Sequence, residues 1–160
     1  MNKAILLLGT NIGKREEALL VASQLVAVNA GVIVRKSSIY ETAPWGNREQ
    51  ASFLNQALMI NTEFNAHELL KIILQIEAKM GRQRIQKWEA RVIDIDILFY
   101  NSEIVNDTDL TIPHPLIRER RFALVPLNEL MPSFIHPVYQ CSVNELLQSC
   151  TDTEQVKLYI

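Results

Sequence analysis

The segment RVIDIDILFY, residues 91–100, places two aspartates one residue apart within a run of aliphatic and aromatic residues. Alternate residues of a β-strand point to opposite faces, so Asp94 and Asp96 are predicted to share one face. Their spacing along a strand is roughly 6 to 7 Å, which allows both carboxylates to reach one divalent cation or a pair of cations. The same pattern also fits a half-exposed strand with an acidic solvent face, so the rest of the sequence has to decide.

The other residues of this strand are predicted to divide between the two faces. The face opposite the aspartates should pack into the core and holds Ile93, Ile95, Ile97 and Phe99. The aspartate face continues into Leu98 and Tyr100. This pattern is expected of a strand that runs out of a packed interior into a cleft.

Cationic residues are concentrated in two short stretches, one of which leads directly into the aspartate pair. These stretches hold half of the sixteen lysines and arginines: Lys79, Arg82, Arg84, Lys87 and Arg91 in the first, and Arg118, Arg120 and Arg121 in the second. Each stretch, taken alone, could be an ordinary solvated surface. Cations beside paired carboxylates also fit a polyanion held together with its metal. His114, which precedes the second stretch, could donate a hydrogen bond to a phosphate or be a surface histidine.

Several aromatic residues fall where a core role is difficult to supply. Trp45 and Trp88 lie in the irregular polar segments 43–52 and 82–90. Aromatic residues belong to the core by default, and the same two interpretations apply to Phe53 and Phe122; a flat heterocycle stacked between rings would account for these residues. Asn55 could read the donor and acceptor edge of that ring, although an amide bonded to backbone is an equally good interpretation.

The whole sequence restricts the class of protein. A chain of 160 residues that is 48% hydrophobic and 21% charged predicts one soluble domain, residues 1–160. The net charge of −2 argues against a general nucleic-acid binder. Neither a signal peptide nor a membrane span is predicted, so we expect a cytoplasmic protein with Cys141 and Cys150 reduced. The five glycines form no P-loop or Rossmann motif, and GTNIG at residues 9–13 is predicted to be only a turn.

Periodicity and breaker residues predict the order β-α-β-β-α-β-β with additions. The predicted strands are 3–9, 32–42, 53–62, the aspartate strand and a final strand at 156–160. Helices are predicted at 14–30, after the capping-box-like pair Asn65 and Glu68, and at 142–150. Asn101 predicts a hairpin into residues 103–105, and Pro113, Pro115 and Pro126 should bracket a loop and a short helix. This order fits the split βαβ plan, an antiparallel sheet covered by helices.

Taken together, four motifs resemble the 6-hydroxymethyl-7,8-dihydropterin pyrophosphokinase family. They are KWEARVIDIDILFY, LTIPHPLIRERRFALVPLNELMP, LGTNIG and YETAPWG, and they occur in the family's order along nearly the whole chain. The resemblance implies a ferredoxin-like α+β fold and transfer of pyrophosphate from ATP to a pterin alcohol, with AMP as by-product. It further implies two Mg²⁺ ions and a monomer whose partners are small molecules, without nucleic acid or membrane.

The resemblance also implies roles for individual residues. Asp94 and Asp96 would bind the metals, and Arg82 and Arg91 would join them in catalysis. The nucleotide contacts would be Glu77, Arg84, Trp88, Arg91, Ile97, Thr111, His114 and Arg120. The pterin contacts would be Thr42, Ala43, Trp45, Phe53, Asn55 and Phe122.

Two other classes of protein fit the residues before the resemblance is considered. A metal-dependent phosphohydrolase or nuclease could also use paired aspartates and arginines. A non-catalytic regulatory module could use the same split βαβ plan to bind a small ligand. Mg²⁺-dependent nucleotide binding and pterin-dependent release of AMP distinguish these alternatives from a pyrophosphokinase.

Overall fold

A computed structural model describes residues 1–43, 51–81 and 92–160 of the protein. The elements in chain order are β1 (Asn2–Thr10), α1 (Arg15–Asn29), β2 (Val32–Lys36), β3 (Tyr40–Thr42), β4 (Phe53–Thr62), α2 (Ala66–Lys79), β5 (Asp94–Tyr100), β6 (Val105–Asn106), β7 (Thr111–Ile112), a 3-10 turn (Ile117–Glu119), α3 (Arg121–Leu130), α4 (Val143–Gln148) and β8 (Val156–Leu158). In the described ranges, no helix is both long and apolar enough to cross a bilayer.

The main sheet is antiparallel and confirms the predicted α+β class. Its strands are ordered β5-β1-β4-β3-β8, and β2 pairs with β4 beside β3. Strand β1 lies between β4 and the edge strand β5. The predicted last strand is also confirmed, because β8 pairs with β3.

Apolar side chains pack on both faces of this sheet. On one face, the core contains Leu19, Ala22 and Val26 of α1 and Leu69, Ile73 and Ile76 of α2. On the other face, it contains Ala123, Leu124 and Leu127 of α3 and Val143 and Leu146 of α4. We call these the α1/α2 face and the α3/α4 face. Burial of both faces fixes the register of each strand, because a slip of one residue would reverse every side chain.

Helices α2 and α4 begin with capping boxes, and the first of these was predicted at Asn65 and Glu68. The Asn65 side chain accepts a hydrogen bond from the Glu68 backbone N–H, and the Glu68 carboxylate accepts one from the Asn65 N–H. Ser142 and Glu145 form the same reciprocal pair at the start of α4. Both capping boxes satisfy amide donors that lack partners inside the helix.

The predicted alternation along β5 is wrong beyond Ile97. Leu6 pairs with Ile97 but Ile5 pairs with Phe99, so Leu98 is an extra residue in a β-bulge. As a result Leu98 and Phe99 both pack on the α3/α4 face, whereas Tyr100 packs on the α1/α2 face. The predicted common face of Ile93, Ile95 and Ile97 is confirmed.

Three further predictions of local structure are wrong. Residues 32–42 form two strands, because the Ser37 hydroxyl accepts from the Ala57 N–H and the Ser38 N–H donates to the Glu129 carboxylate. Asn101 forms the expected turn with φ of 50°, but β6 pairs with β7 and not with β5. Pro126 lies inside α3, which runs through it from Arg121 to Leu130.

Candidate active site

Three adjacent strands place predicted metal and pterin residues in one row. Gly9 of β1 pairs with Asp94 of β5 on one side and with Asn55 of β4 on the other. Cross-strand partners project to the same face of a sheet, which here is the α3/α4 face. Asp94 and Asn55 therefore stand on one surface, with their backbones two strand spacings apart, or about 10 Å.

The predicted pterin residues of β3 and β4 meet beside this row. Thr42 pairs with Phe53 at the open end of β3 and β4, and the Asn55 amide donates to the Thr42 hydroxyl at 3.5 Å. Thr42 and Asn55 are both 4% exposed, whereas Phe53 and Phe122 are half-buried and Ala43 is exposed. The site thus has a polar floor and partly open aromatic side chains, as a planar polar heterocycle requires.

A cavity of about 300 Å³ runs along β5 on the other side of the aspartates. Its lining consists of Leu70, Ile95, Asp96, Ile97, Thr108, Asp109, Leu110, Thr111, His114 and Pro115. Three of the predicted nucleotide contacts, Ile97, Thr111 and His114, therefore share this cavity with a predicted metal ligand. Its walls combine aliphatic side chains with carboxylates, two threonine hydroxyls and an imidazole, which suits a base and its attached sugar and phosphates.

His114 is held as a neutral donor at the cavity. Its Nδ1 accepts a hydrogen bond from the Leu116 N–H at 3.2 Å, which leaves the proton on Nε2. Burial and, secondly, the nearby Arg120 cation lower the pKa of His114 to about 4, although Asp94 acts in the opposite direction. Arg120 and Asp94 are thus close enough to His114 to influence its charge. Arg120 also lies over the Phe122 ring, at 5.6 Å from its centroid.

Glu77 occupies a different kind of position from the other predicted nucleotide contacts. It is 3% exposed, and its carboxylate accepts a hydrogen bond from the Ile95 N–H at 2.8 Å. Ile95 stands between Asp94 and Asp96, so this bond ties α2 to the part of β5 that carries both acids. Glu77 therefore orients the aspartate pair, whatever contact it makes with a nucleotide.

A second acidic cluster, not predicted from the sequence, lies beside the cavity. His67 Nε2 is 2.7 Å from an Asp107 carboxylate oxygen and 3.9 Å from one of Asp109. All three side chains are substantially exposed. Because Asp109 also lines the cavity, these contacts join the first turn of α2 to the segment that forms the cavity wall.

Five of the predicted site residues lie outside the described residues. They are Trp45, Arg82, Arg84, Trp88 and Arg91. Their proposed roles remain predictions. Among the described residues, Asp96 lines the cavity, and Asp94 belongs to the row that leads to Asn55.

Sequence reasoning missed one residue of this row. Gly9 was assigned to a turn, yet β1 continues through Thr10 and Gly9 lies between Asn55 and Asp94. A Cβ atom on Gly9 would lie 2.7 Å from Asn55 Oδ1. Glycine therefore leaves room for the Asn55 carboxamide, and only the cross-strand register reveals this requirement.

We expect Gly9→Ala to weaken pterin binding about tenfold while ATP binding stays unchanged, because the added methyl displaces the Asn55 carboxamide. Calorimetric titration of both ligands measures this. In an Asn55→Ala background the same Gly9→Ala change should have no further effect. If Gly9→Ala weakened pterin binding equally in the parent and in the Asn55→Ala variant, the added methyl would act through a group other than Asn55.

Two histidines, the partly buried His114 and the buried His136, predict a loss of stability in acid. Burial lowers the pKa of His136, as of His114, to about 4, and His136 Nδ1 accepts hydrogen bonds from the Val138 and Tyr139 N–H groups. Both folded pKa values lie below the unfolded value of about 6.5, so the unfolded chain binds more protons below that pH. The free energy of unfolding should therefore be independent of these histidines above pH 6.5. It should fall between pH 6.5 and 4 by up to about 1.4 kcal/mol per pH unit for each histidine.

Urea denaturation at several pH values measures this dependence. His136→Asn keeps an acceptor but does not titrate, so its stability should fall less steeply over the same pH range. An unchanged slope in this variant would contradict the assignment of His136 as a neutral buried group.

The aspartate pair suits a hard divalent cation. Asp94 and Asp96 are both partly exposed, and the Asp96 side chain borders the cavity. Paired carboxylates with room for water and phosphate oxygens are the ligands that Mg²⁺ prefers. The donor set therefore fits a magnesium ion carried by a polyphosphate.

The fold and site together define a ferredoxin-like α+β domain with paired carboxylates at a nucleotide-sized cavity. The model of the 7,8-dihydro-6-hydroxymethylpterin-pyrophosphokinase family matches residues 5–132. The chain belongs to this family.

Sequence relatives agree with the family match. A 2-amino-4-hydroxy-6-hydroxymethyldihydropteridine pyrophosphokinase of Methylorubrum extorquens is 45% identical over 136 residues, which cover 84% of this chain and 86% of the relative. The protein of the same name from Bacillus subtilis is 47% identical over 130 residues, covering 81% of this chain and 78% of the relative.

Solved structures share the fold. The wild-type HPPK-DHPS of Plasmodium falciparum, crystallised with pteroate, superposes with a TM-score of 0.76 at 19% identity. The match covers 92% of this chain and 44% of the solved chain, so this chain spans less than half of that longer protein.

Proposed function

We propose that the protein transfers pyrophosphate from ATP to the hydroxymethyl group of 6-hydroxymethyl-7,8-dihydropterin, giving AMP and the pterin diphosphate for folate biosynthesis. The observation that carries this proposal is the position of the aspartates. They stand between a cavity lined by Ile97, Thr111 and His114 and the buried pair Thr42 and Asn55. A phosphoryl donor and an acceptor alcohol could thus meet at the acids.

The nucleotide would occupy the cavity along β5. Leu70, Ile95, Ile97 and Leu110 provide apolar walls for an adenine ring. The Nε2–H of neutral His114 would donate to a phosphate oxygen, and the Arg120 guanidinium would neutralise part of its charge. Glu77 would keep both aspartates directed at the phosphates through its bond to Ile95. Arg84, Trp88 and Arg91 would complete the nucleotide contacts.

The pterin would lie on the α3/α4 face beside Gly9. Phe53 and Phe122 would stack on the bicycle, and the Asn55 carboxamide would bond to its polar edge. Thr42, Ala43 and Trp45 would close the remaining sides. Because the Asn55 amide already contacts the Thr42 hydroxyl, its orientation is set before the ligand arrives.

The reaction would be an in-line displacement. The hydroxymethyl oxygen attacks the β-phosphorus, the bond from that phosphorus to the oxygen of the α-phosphate breaks, and AMP leaves. Two Mg²⁺ ions held by Asp94 and Asp96 would supply charge neutralisation and orientation. The chain would contribute positioning, exclusion of water and cations, including Arg82 and Arg91.

We further propose that the 160 residues form a single domain that acts as a cytoplasmic monomer. Its partners would be ATP, the pterin alcohol and magnesium, without nucleic acid or membrane. The net charge of −2 supports the absence of nucleic acid from these partners.

Incubation with MgATP, with and without the pterin alcohol, tests the proposal. AMP that appears only with the pterin, in equal amount to the pterin diphosphate, supports pyrophosphate transfer. Release of inorganic phosphate without pterin would indicate a hydrolase instead. Nucleotide binding without any turnover would indicate a regulatory module.

A further inference from the structure

Arg15 connects two strands at the point where each approaches the proposed pterin site. Its Nη1 donates to the Glu41 carboxylate at 2.7 Å and to the Ser52 carbonyl oxygen at 2.9 Å. Glu41 directly precedes Thr42, and Ser52 directly precedes Phe53. One nitrogen atom therefore binds the residues that lead into two proposed pterin contacts.

The contacts of Arg15 are partly shielded from solvent. The Arg15 and Glu41 side chains are 24% and 33% exposed, respectively, and the guanidinium lies 5.7 Å from the centroid of the Tyr159 ring. Nearby, the Asn11 amide donates to the Ala51 carbonyl oxygen at 3.4 Å. A partly buried, charge-assisted bond restrains its partners more than a fully exposed ion pair does.

The position of Arg15 in α1 points to a role outside the helix. Arg15 is the first residue of α1, where the helix dipole favours acidic side chains, and Glu16 and Glu17 follow it. The packing of α1 is supplied by other residues, including Leu19, Ala22 and Val26. An arginine at this position opposes the dipole, and its compensating contacts lie on β3 and beside β4.

We propose that Arg15 is a positioning residue for the pterin site. By binding Glu41 and Ser52 together, it sets the spacing of Thr42 and Phe53 and keeps the site formed before the pterin binds. The proposal rests on the function proposed above. It concerns the pterin alone, because none of the three residues in this contact lines the nucleotide cavity.

Steady-state kinetics of Arg15→Ala test this role. We expect the KM for the pterin alcohol to rise about tenfold, with the KM for ATP within about twofold of the parent value. Arg15→Lys keeps the charge but not the planar guanidinium, so it should recover part of the loss. If Arg15→Ala folds poorly, the pterin KM of Arg15→Lys alone tests the positioning role. A rise of at least about threefold in this KM is then expected.

Arg35→Ala is the matched control. Arg35 also donates to a main-chain oxygen, that of Leu130 at 2.6 Å, and it joins β2 to the end of α3. Its loss should lower the melting temperature without changing the KM for the pterin. The positioning role would be overturned if the Arg15 variants kept the parent KM for the pterin. It would also be overturned if their KM values for the pterin and for ATP rose equally.

The parent protein separates this inference from the proposed function. Pterin-dependent formation of AMP by the parent, together with unaffected Arg15 variants, would refute only the role of Arg15. A parent protein that forms no AMP with pterin would refute both.

Discussion

Asp96→Asn should lower kcat/KM for pyrophosphate transfer on the order of a thousandfold while the chain remains folded. The substitution keeps the size of the side chain but removes one charge from the proposed metal pair. Loss of about 4 kcal/mol of transition-state stabilisation corresponds to this factor. Asp94→Asn should have an effect of the same order, because both acids stand on one face of β5.

A binding measurement and a control variant test whether the loss of activity comes from the metal site. Binding of a non-hydrolysable ATP analogue, with and without Mg²⁺, should show that the variant has lost most of the magnesium dependence. Asp109→Asn is the control, because Asp109 lines the same cavity but lies off the strand. Unchanged Mg²⁺-dependent binding in Asp96→Asn would show that the metal assignment is wrong.

Asn55→Ala should weaken pterin binding about a hundredfold. The carboxamide can supply two hydrogen bonds to the pterin edge, and each is expected to contribute about 1.4 kcal/mol in a buried site. The cavity proposed for ATP lies along β5 at the far side of β1, so affinity for the ATP analogue should be retained. Titration of the pterin in the presence of the analogue measures the loss.

Gln56→Ala provides the comparison for Asn55→Ala. Gln56 is the next residue of β4 and has the same functional group, but its amide donates to the Ser37 carbonyl oxygen. Alternation along the strand directs it away from the α3/α4 face. Similar losses of pterin affinity in both variants would assign the effect to the strand and not to recognition by Asn55.

Local sequence signals predicted those parts of the fold that depend on neighbouring residues. The capping box at Asn65 and Glu68 and the buried strand 53–62 are examples. The wrong predictions depended on contacts that are distant in sequence. Glu129 contacts Ser38 from 91 residues away. The bulge at Leu98 arises from pairing with β1, which no pattern within residues 91–100 reveals.

The site could be predicted in part for the same reason. Asp94, Asp96 and His114 stand in distinctive local motifs, so residue types alone predict roles for them, and these roles remain predictions. Gly9 lies in the LGTNIG motif and Arg15 lies in none of the four motifs, but the significance of both residues depends on partners that only the folded chain brings to them. Glu77 was identified, but its bond to Ile95 became apparent only when α2 was placed against β5.

Because Leu98 is an extra residue, the orientation of Asp94 and Asp96 in β5 does not depend on how many apolar residues follow Ile97 before Phe99. Because it lies between Ile97 and Phe99, a chain without Leu98 could pair with β1 as a regular ladder and keep both aspartates and Phe99 on their present face. Loss of Leu98 would change the apolar side chains that pack beneath α3, but the Asp94 and Asp96 carboxylates would keep their orientation. The core residues and the aspartates of this strand can therefore diverge separately during evolution.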